Sequence, residues 1–233
     1  MKVSFVIPCY QEEDALPALR PHLVDIAAEE LVFVDDGSTD ATAGALAAIA
    51  ADDPRVRVVT HERNRGVGAA MRSGIDAATG DVIVVYDADA TYPLADAQKL
   101  VAAVREGYDV ATATPFAAGG GLDDVPAFRR FLSRAAVSAY RVVLGRRARN
   151  ISVFTCAFRA YRAGRVQALS FRADGFPAAA EILGRLVLDD ARVTEVPSTL
   201  SARTAGVSKM RVGRAAAGHL ATLSRLLWAR VVS

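Results

Sequence analysis

Two carboxylates one residue apart, Asp87 and Asp89 with Ala88 between them, end the apolar run Val82-Ile83-Val84-Val85-Tyr86. A β-branched run of that kind reads as a strand covered on both faces. Carboxylate oxygens are the hard ligands that Mg²⁺ or Mn²⁺ prefers, and such an ion usually shares its shell with a phosphate. Alone, an Asp-x-Asp triplet after a strand reads more readily as a polar turn. A second acidic strand end decides between the two. Leu31-Val32-Phe33-Val34 runs into Asp35 and Asp36, then into Gly37-Ser38-Thr39-Asp40. Gly37 permits a tight turn, and Ser38, Thr39 or Asp40 can cap a following helix. The first strand, Val3 to Ile7, ends in Pro8-Cys9-Tyr10-Gln11-Glu12-Glu13, which adds an aromatic ring and more carboxylates. In an open parallel sheet, ligands bind outside the carboxyl ends of the strands. The three ends therefore point to one nucleotide site, with one acid for the base or ribose and another pair for metal and diphosphate.

The elements that must hold these groups alternate. Strands are expected near 2–8, 31–35, 56–60, 81–86 and 109–113, and helices near 14–27, 40–51, 66–78 and 94–106. This alternation predicts an α/β fold, a mostly parallel sheet with helices on both faces. Gly66-Val67-Gly68-Ala69-Ala70-Met71 is not a dinucleotide fingerprint, because Met71 stands at the third glycine position and no strand leads directly into it. It reads as a turn into a tightly packed helix whose N-terminus could lie near a phosphate.

The second half is less regular. A flexible loop is expected over 117–121, then a basic helix through Arg129, Arg130, Arg134 and Arg141. A strand is expected from Val153 to Arg159, a helix from Pro177 to Leu188 and a strand from Ala191 to Val196. Glu181 lies inside that helix among apolar residues. Either burial raises its proton affinity, which suits a general base, or it pairs an arginine as a structural acid. Asp174 is the other candidate base. The polar stretch from Ser201 to Lys209 reads either as a solvated loop or as a mobile one whose cations close on a diphosphate. The last helix, Gly213 to Val232, carries Leu220, Leu223, Leu226, Leu227 and Val231, with Arg214, Arg225 and Arg230 around it. A basic amphipathic helix of this kind either packs on the domain or lies on a membrane.

Composition narrows the class. At 233 residues with no dividing linker, one domain is expected, and 52% hydrophobic with 23% charged residues is a foldable balance. A net charge of +2 does not argue for nucleic acid, and no aromatic-basic interleaving is present. The arginines concentrate after Arg129, leaving an acidic first half and a basic second half, which fits an anionic ligand or membrane surface. Cys9 and Cys156 have no metal-ligand spacing and form no disulfide framework. With no signal-peptide pattern and no run of 18 apolar residues, a cytoplasmic location without a membrane-spanning helix is expected, with peripheral contact at the inner face of the membrane.

These motifs together resemble family 2 glycosyltransferases of the GT-A fold, in the branch of the polyprenyl-phosphate (dolichol-phosphate) mannose synthases. The likeness is carried by Val6-Ile7-Pro8-Cys9-Tyr10-Gln11-Glu12-Glu13, Val34-Asp35-Asp36-Gly37-Ser38-Thr39-Asp40 and Asn64-Arg65-Gly66-Val67-Gly68-Ala69-Ala70. It continues through Gly80-Asp81, Asp87-Ala88-Asp89, Phe158-Arg159-Ala160-Tyr161-Arg162, Glu195-Val196-Pro197 and Arg203-x-x-Gly206-x-Ser208-Lys209. In order, they span nearly the whole chain.

The resemblance implies a nucleotide-sugar donor of the GDP-mannose or UDP-glucose type, a divalent Mg²⁺ or Mn²⁺, and inversion at the anomeric carbon. Pro8, Tyr10, Glu12 and Asp36 would hold the nucleoside, and Asp87, Ala88 and Asp89 the metal and diphosphate. Asp89, Arg203, Lys209 and Glu181 would be the catalytic set, with Arg203 and Lys209 closing over the leaving group. It further implies a polyprenyl phosphate acceptor, received by Arg129, Arg130 and Ser133 unless these form only an exposed helix face. Residues 1–113 would form the nucleotide-sugar half, 114–211 the acceptor half with its closing loop, and 212–233 a C-terminal amphipathic helix.

Departures fall on the acceptor side. Ala113-Thr114-Pro115-Phe116 stands where the family usually has an arginine, Val153-Phe154-Thr155-Cys156-Ala157 where an aspartate is usual, and Thr91 where glutamine is usual. They keep open the same donor chemistry with a hydroxyl of a small-molecule acceptor, which would need a general base. A nucleotidyltransferase is disfavoured, since Pro8-Cys9-Tyr10-Gln11-Glu12-Glu13 is acidic where a triphosphate loop would be glycine-rich and basic. A non-catalytic sugar-nucleotide module would have little use for both Asp87 and Asp89.

Overall fold

The computed structural model describes residues 1–202 and 212–232, with the backbone alone at Arg129 and Val212. The first half alternates as its hydrophobic runs require: β1 (Val3–Cys9), α1 (Leu16–Leu23), β2 (Glu30–Asp35), α2 (Thr42–Asp52), β3 (Val56–Thr60), α3 (Val67–Ala77), β4 (Val82–Val85), α4 (Ala97–Arg105) and β5 (Val110–Thr114). The second half adds β6 (Gly121–Asp123), α5 (Ala127–Leu144), β7 (Arg159–Arg162), α6 (Ala163–Gln167), α7 (Ala178–Leu188), β8 (Val193–Pro197), β9 (Thr199–Ser201) and α8 (Val212–Val232).

Seven strands form one sheet in the order β3-β2-β1-β4-β7-β5-β8, parallel throughout except for β7. Alternate side chains of each strand enter different cores. Phe5, Ile7, Phe33 and Val84 pack under α1, α2 and α4 with Leu16, Leu46 and Leu100. Val6, Val34, Ile83 and Val85 pack on the other face with Met71, Leu183 and Leu226. This two-sided burial is why the strands read as unbroken apolar runs.

Helix α3 owes its close seat to Gly74, where an added Cβ would stand 2.3 Å from Val6 Cγ1 and 3.1 Å from Val34 Cγ2. Gly74→Ala is expected to lower stability by about 1–3 kcal/mol through overpacking. The check is a lower denaturant midpoint at unchanged slope; an unchanged midpoint would show that the sheet yields without cost.

The central antiparallel strand corrects the expected one at 153–159. Strand β7 begins at Arg159 and pairs with β4 and β5. Arg159 is fully buried, donating from Nε to Thr112 Oγ1 (3.0 Å), from Nη1 to Ala179 O (2.5 Å) and from Nη2 to Phe154 O (2.8 Å). The loop expected over 117–121 leads into a short strand, β6, which pairs in parallel with β9.

Helix α8 packs against α5 and α7, with Thr222 and Leu226 buried. The Tyr140 hydroxyl on α5 and His219 Nδ1 share a hydrogen bond at 2.8 Å. Burial lowers the affinity of that imidazole for a second proton, which favours the neutral ring. Packing on the domain is thus the arrangement of the last helix. No helix of the described residues is long and apolar enough to cross a membrane.

Candidate active site

The carboxyl ends of β1, β2 and β4 lie side by side, since β1 is flanked by β2 and β4 in the sheet. They meet one wall of a cavity of about 500 Å³. Pro8, Tyr10 and Glu12 line it from β1, Asp36 from β2, and Asp87, Ala88 and Asp89 from β4. All seven residues expected to hold a nucleotide-sugar therefore share one space.

The loops are laced to one another. Gln11 Oε1 accepts from Thr39 N at 2.9 Å and Asp40 N at 3.1 Å, and Glu12 N donates to Thr42 Oγ1 at 2.8 Å. Ser38 accepts from Gln11 N at 3.0 Å and Asp40 Oδ1 from Thr42 N at 3.0 Å, while the N-cap of α2 is Ala41. After β4, Tyr86 donates its hydroxyl to Tyr92 O at 2.7 Å, closing the turn that carries the two aspartates. Burial, with Asp89 and Asp87 beside it, raises that phenol well above its ordinary value, so it remains a donor. Cys9 also lines the cavity; burial and the nearby Glu12 and Asp35 push its thiol up, so it serves as a neutral apolar wall.

Asp36 differs from Asp87 and Asp89 in how it is spent. It is 2% exposed and accepts from His61 Nδ1 (2.6 Å), Arg65 N (2.9 Å) and Gly66 N (2.7 Å). Three of about four carboxylate lone-pair positions are thus taken by the protein. The turn it holds begins α3 at Gly66, whose φ of +98° suits glycine and whose absent Cβ would stand 2.3 Å from Asp174 O. That carbonyl accepts from Gly68 N at 2.6 Å and Ala69 N at 3.3 Å. The N-terminus of α3, expected near a phosphate, is therefore occupied by the protein's own backbone.

The rest of the lining comes from the 172–177 segment and α8, and includes Arg172, Asp174, Phe176, Arg214, Gly218 and Arg225. Glu181 assembles it from behind. It is fully buried, pairs with Arg185 and Arg225 at 2.9 Å each, and accepts from Ala173 N at 2.9 Å and Arg172 N at 3.3 Å. Burial alone would raise its carboxyl, but the hydrogen bonds from Arg225 and Arg185 outweigh that and hold it below its ordinary value. This corrects the expectation of a catalytic base with raised proton affinity. Its lone pairs are committed, and it does not line the cavity. Asp174 is likewise engaged, accepting from Arg72 Nη1 at 3.1 Å and Nη2 at 3.2 Å.

Two of the expected acceptor residues are not brought to this space. Arg130 is exposed and Ser133 half-buried on α5, and neither lines the cavity; Arg129 shares the helix by its backbone. Arg203 and Lys209 lie outside the described residues. Arg172, Arg214 and Arg225 were not assigned to the site. The signal available for the last two was the helical spacing of Arg214, Gly218, Ala221 and Arg225, two cations with small residues between them on one face.

Among the described residues no three His, Cys, Asp or Glu side chains cluster as a complete metal cage. Two carboxylates at a cavity wall nevertheless suit Mg²⁺ or Mn²⁺, which take one or two from the protein and the rest from substrate phosphate and water.

The sequence profile of glycosyl transferase family 2 matches residues 4–169. The chain is 32% identical over 233 residues to the dolichol-phosphate mannosyltransferase of Pyrococcus furiosus, covering 97% of this chain and 64% of that protein's length. It is 32% identical over 221 residues to the undecaprenyl-phosphate mannosyltransferase of Micrococcus luteus, covering 91% of this chain and 89% of that one. Its fold is that of glucosyl-3-phosphoglycerate synthase from Mycobacterium tuberculosis, solved with Mn²⁺, UDP and glucosyl-3-phosphoglycerate. There the TM-score is 0.69 at 21% identity, covering 97% of this chain and 80% of that one. The architecture is GT-A.

Proposed function

The chain belongs to glycosyl transferase family 2, and from that membership we propose that it moves a hexosyl group from a nucleotide-sugar to a polyprenyl phosphate, with inversion at the anomeric carbon. The observation that carries the reading is the division of charge within one cavity. Strand ends supply the carboxylates Glu12, Asp36, Asp87 and Asp89, while the 172–177 segment and α8 supply the guanidiniums Arg172, Arg214 and Arg225 together with Asp174, which is paired with Arg72. One wall suits a cation with a diphosphate, and the other suits a second anion.

An acceptor phosphate is already ionised, so it needs positioning and not a general base. Of the two acids of the second half considered as a base for a hydroxyl, Glu181 is buried between two arginines and off the cavity, while Asp174 lines it with Oδ1 paired to Arg72. Pro8, Tyr10 and Glu12 bind the nucleoside, while Asp36 acts chiefly by fixing the turn at Arg65 and Gly66. Asp87 and Asp89 would hold Mg²⁺ or Mn²⁺, which when bound neutralises charge on the leaving diphosphate. Arg172 and Arg214 orient the acceptor phosphate, whose oxygen forms the new bond to the anomeric carbon as the bond to the diphosphate breaks. Arg203 and Lys209 add charge at the leaving group in this reading. A GDP-mannose or UDP-glucose type donor is supported by the mannosyl transfer named for the two relatives and by the UDP held in the structural neighbour. Contact of α8 with the membrane that carries such a lipid belongs to the same reading.

Calorimetric titration with GDP, UDP and dTDP, each with and without Mn²⁺, tests the donor half. One nucleotide should bind tightly and only with metal; binding of none by folded protein would end the reading. For the acceptor half, Arg172→Ala combined with Arg214→Ala is expected to raise the KM for polyprenyl phosphate about tenfold or more, the scale of one lost charge-assisted hydrogen bond. Affinity for the nucleoside diphosphate should not change. An unaltered acceptor KM would remove these arginines from the site.

A further inference from the structure

A chain of three side chains leads away from the cavity wall. Asp36 Oδ1 lies 2.6 Å from His61 Nδ1, and His61 Nε2 lies 2.9 Å from Ser73 Oγ. Asp36 and His61 are buried, and Ser73 is half-buried. An ionised carboxylate can only accept, so the proton of the first bond sits on Nδ1. A neutral ring held in that tautomer accepts at Nε2, and the Ser73 hydroxyl supplies the donor. The three residues come from three elements: Asp36 follows β2, His61 follows β3, and Ser73 lies in the middle of α3.

Acid, imidazole and hydroxyl in this order are the components of a nucleophilic triad. Placement points the other way. Ser73 does not line the cavity, so its hydroxyl meets no substrate there. The end of the chain that reaches the cavity is Asp36.

The contacts of Asp36 show what its orientation controls. Oδ1 also accepts from Arg65 N and Oδ2 from Gly66 N, which holds the turn that brings Asn64, Gly66 and Val67 to the cavity. Those two donors are backbone groups of the turn itself, so they move with it. His61 is the donor fixed from elsewhere. Its own N–H donates to Asp35 O at 2.9 Å, and its far nitrogen is tied to Ser73 on α3. The ring is thus held at both nitrogens and at its backbone. It passes that rigidity to a carboxylate at the wall through a charge-assisted bond, a type about twice as strong as a neutral one.

We propose that His61 is a positioning residue for the nucleotide, acting through Asp36; the inference rests on the nucleotide-sugar reading of the cavity. With the imidazole gone, Asp36 keeps only donors that belong to the turn. Carboxylate and turn then shift together, and the wall that receives the nucleoside loses its shape.

His61→Asn and His61→Gln separate this role from packing. Asparagine Nδ2 stands where the ring has Nδ1 and can still donate to Asp36. Glutamine Nε2 stands where the ring has Nε2 and reaches toward Ser73 instead. Both lose the ring, so a merely structural residue would give equal losses. Affinity is measured by calorimetry with GDP, UDP and dTDP in the presence of Mg²⁺. The nucleotide bound by the wild type should lose about tenfold or more in His61→Gln, the scale of one charge-assisted hydrogen bond, and stay within about threefold in His61→Asn. Nitrogen-15 imidazole spectra of the wild type test the same point without depending on whether the variants fold. His61 should be the Nδ1–H tautomer, and its resonance should move on saturation with that nucleotide. Equal losses in the two variants, unchanged affinity in His61→Gln, or an unmoved His61 resonance would each overturn the proposal. Folded wild-type protein that binds no nucleotide would end the donor reading, and the proposal with it.

Discussion

Asp89→Asn is expected to remove the metal-dependent part of donor binding and to lower kcat/KM by about 10²–10³-fold or more, the scale of losing one group that stabilises developing charge. The substitution is nearly isosteric. Asp89 is 8% exposed and its Oδ1 accepts from Thr91 N at 3.3 Å, a bond that an asparagine oxygen can keep. The turn after β4 is also closed independently by Tyr86 and Tyr92, so the fold should survive. What is lost is one of two hard anionic ligands. A cation that depends on two carboxylates and a substrate diphosphate has little else to bind it. Calorimetry should then give the same weak nucleotide affinity with and without Mn²⁺. A matched control is Asp35→Asn. Asp35 is more deeply buried still, but its Oδ1 accepts from Ser38 N at 3.0 Å, and it does not line the cavity. If Asp89→Asn keeps full metal dependence, the cation is held elsewhere.

The donor wall was legible in the sequence because each of its acids ends an apolar run that has to be a buried strand. Position along a parallel sheet then does the rest, since neighbouring carboxyl ends share one edge. What that logic could not see is how a carboxylate is spent. Asp36 and Asp87 occupy similar places in their motifs, yet Asp36 gives most of its lone pairs to His61, Arg65 and Gly66. Strand β7 was misplaced for a related reason. Its first residue is an arginine, a type that is rarely buried, and only the acceptors on Thr112, Phe154 and Ala179 make burial tolerable. The guanidinium wall was hidden because Arg172 and Arg225 are 53 positions apart in sequence and meet only through Glu181. On α5, the presence of arginines was visible but not their direction. Arg130 lies beside exposed Phe128 and Phe131, away from the cavity.

Glu181→Gln is expected to cost roughly 3 kcal/mol, the low end of what breaking a buried ion pair costs when one partner goes. The low end applies because Arg185 and Arg225 stay 23% and 30% exposed, so water recovers part of their solvation. Glutamine can accept at one oxygen, but its amide would point donors at a guanidinium or at the N–H groups of Arg172 and Ala173. The loss therefore falls on three places at once: α7, the 172–173 backbone and α8. Two of these form the cavity wall, so the acceptor KM should rise while metal-dependent nucleotide affinity stays. A general base would behave differently, losing kcat and flattening the pH profile of the rate while leaving stability unchanged.

The pH dependence of stability separates these roles further. Because the folded carboxyl lies below its ordinary value of 4.5, its contribution is complete above that pH. It is lost as pH falls through the lower folded value. The wild-type advantage over Glu181→Gln in denaturant midpoint should therefore be constant near neutrality and shrink only in acid below about pH 4.5. Equal midpoints at neutral pH would show that Glu181 is not the anchor that joins the arginine wall to the domain.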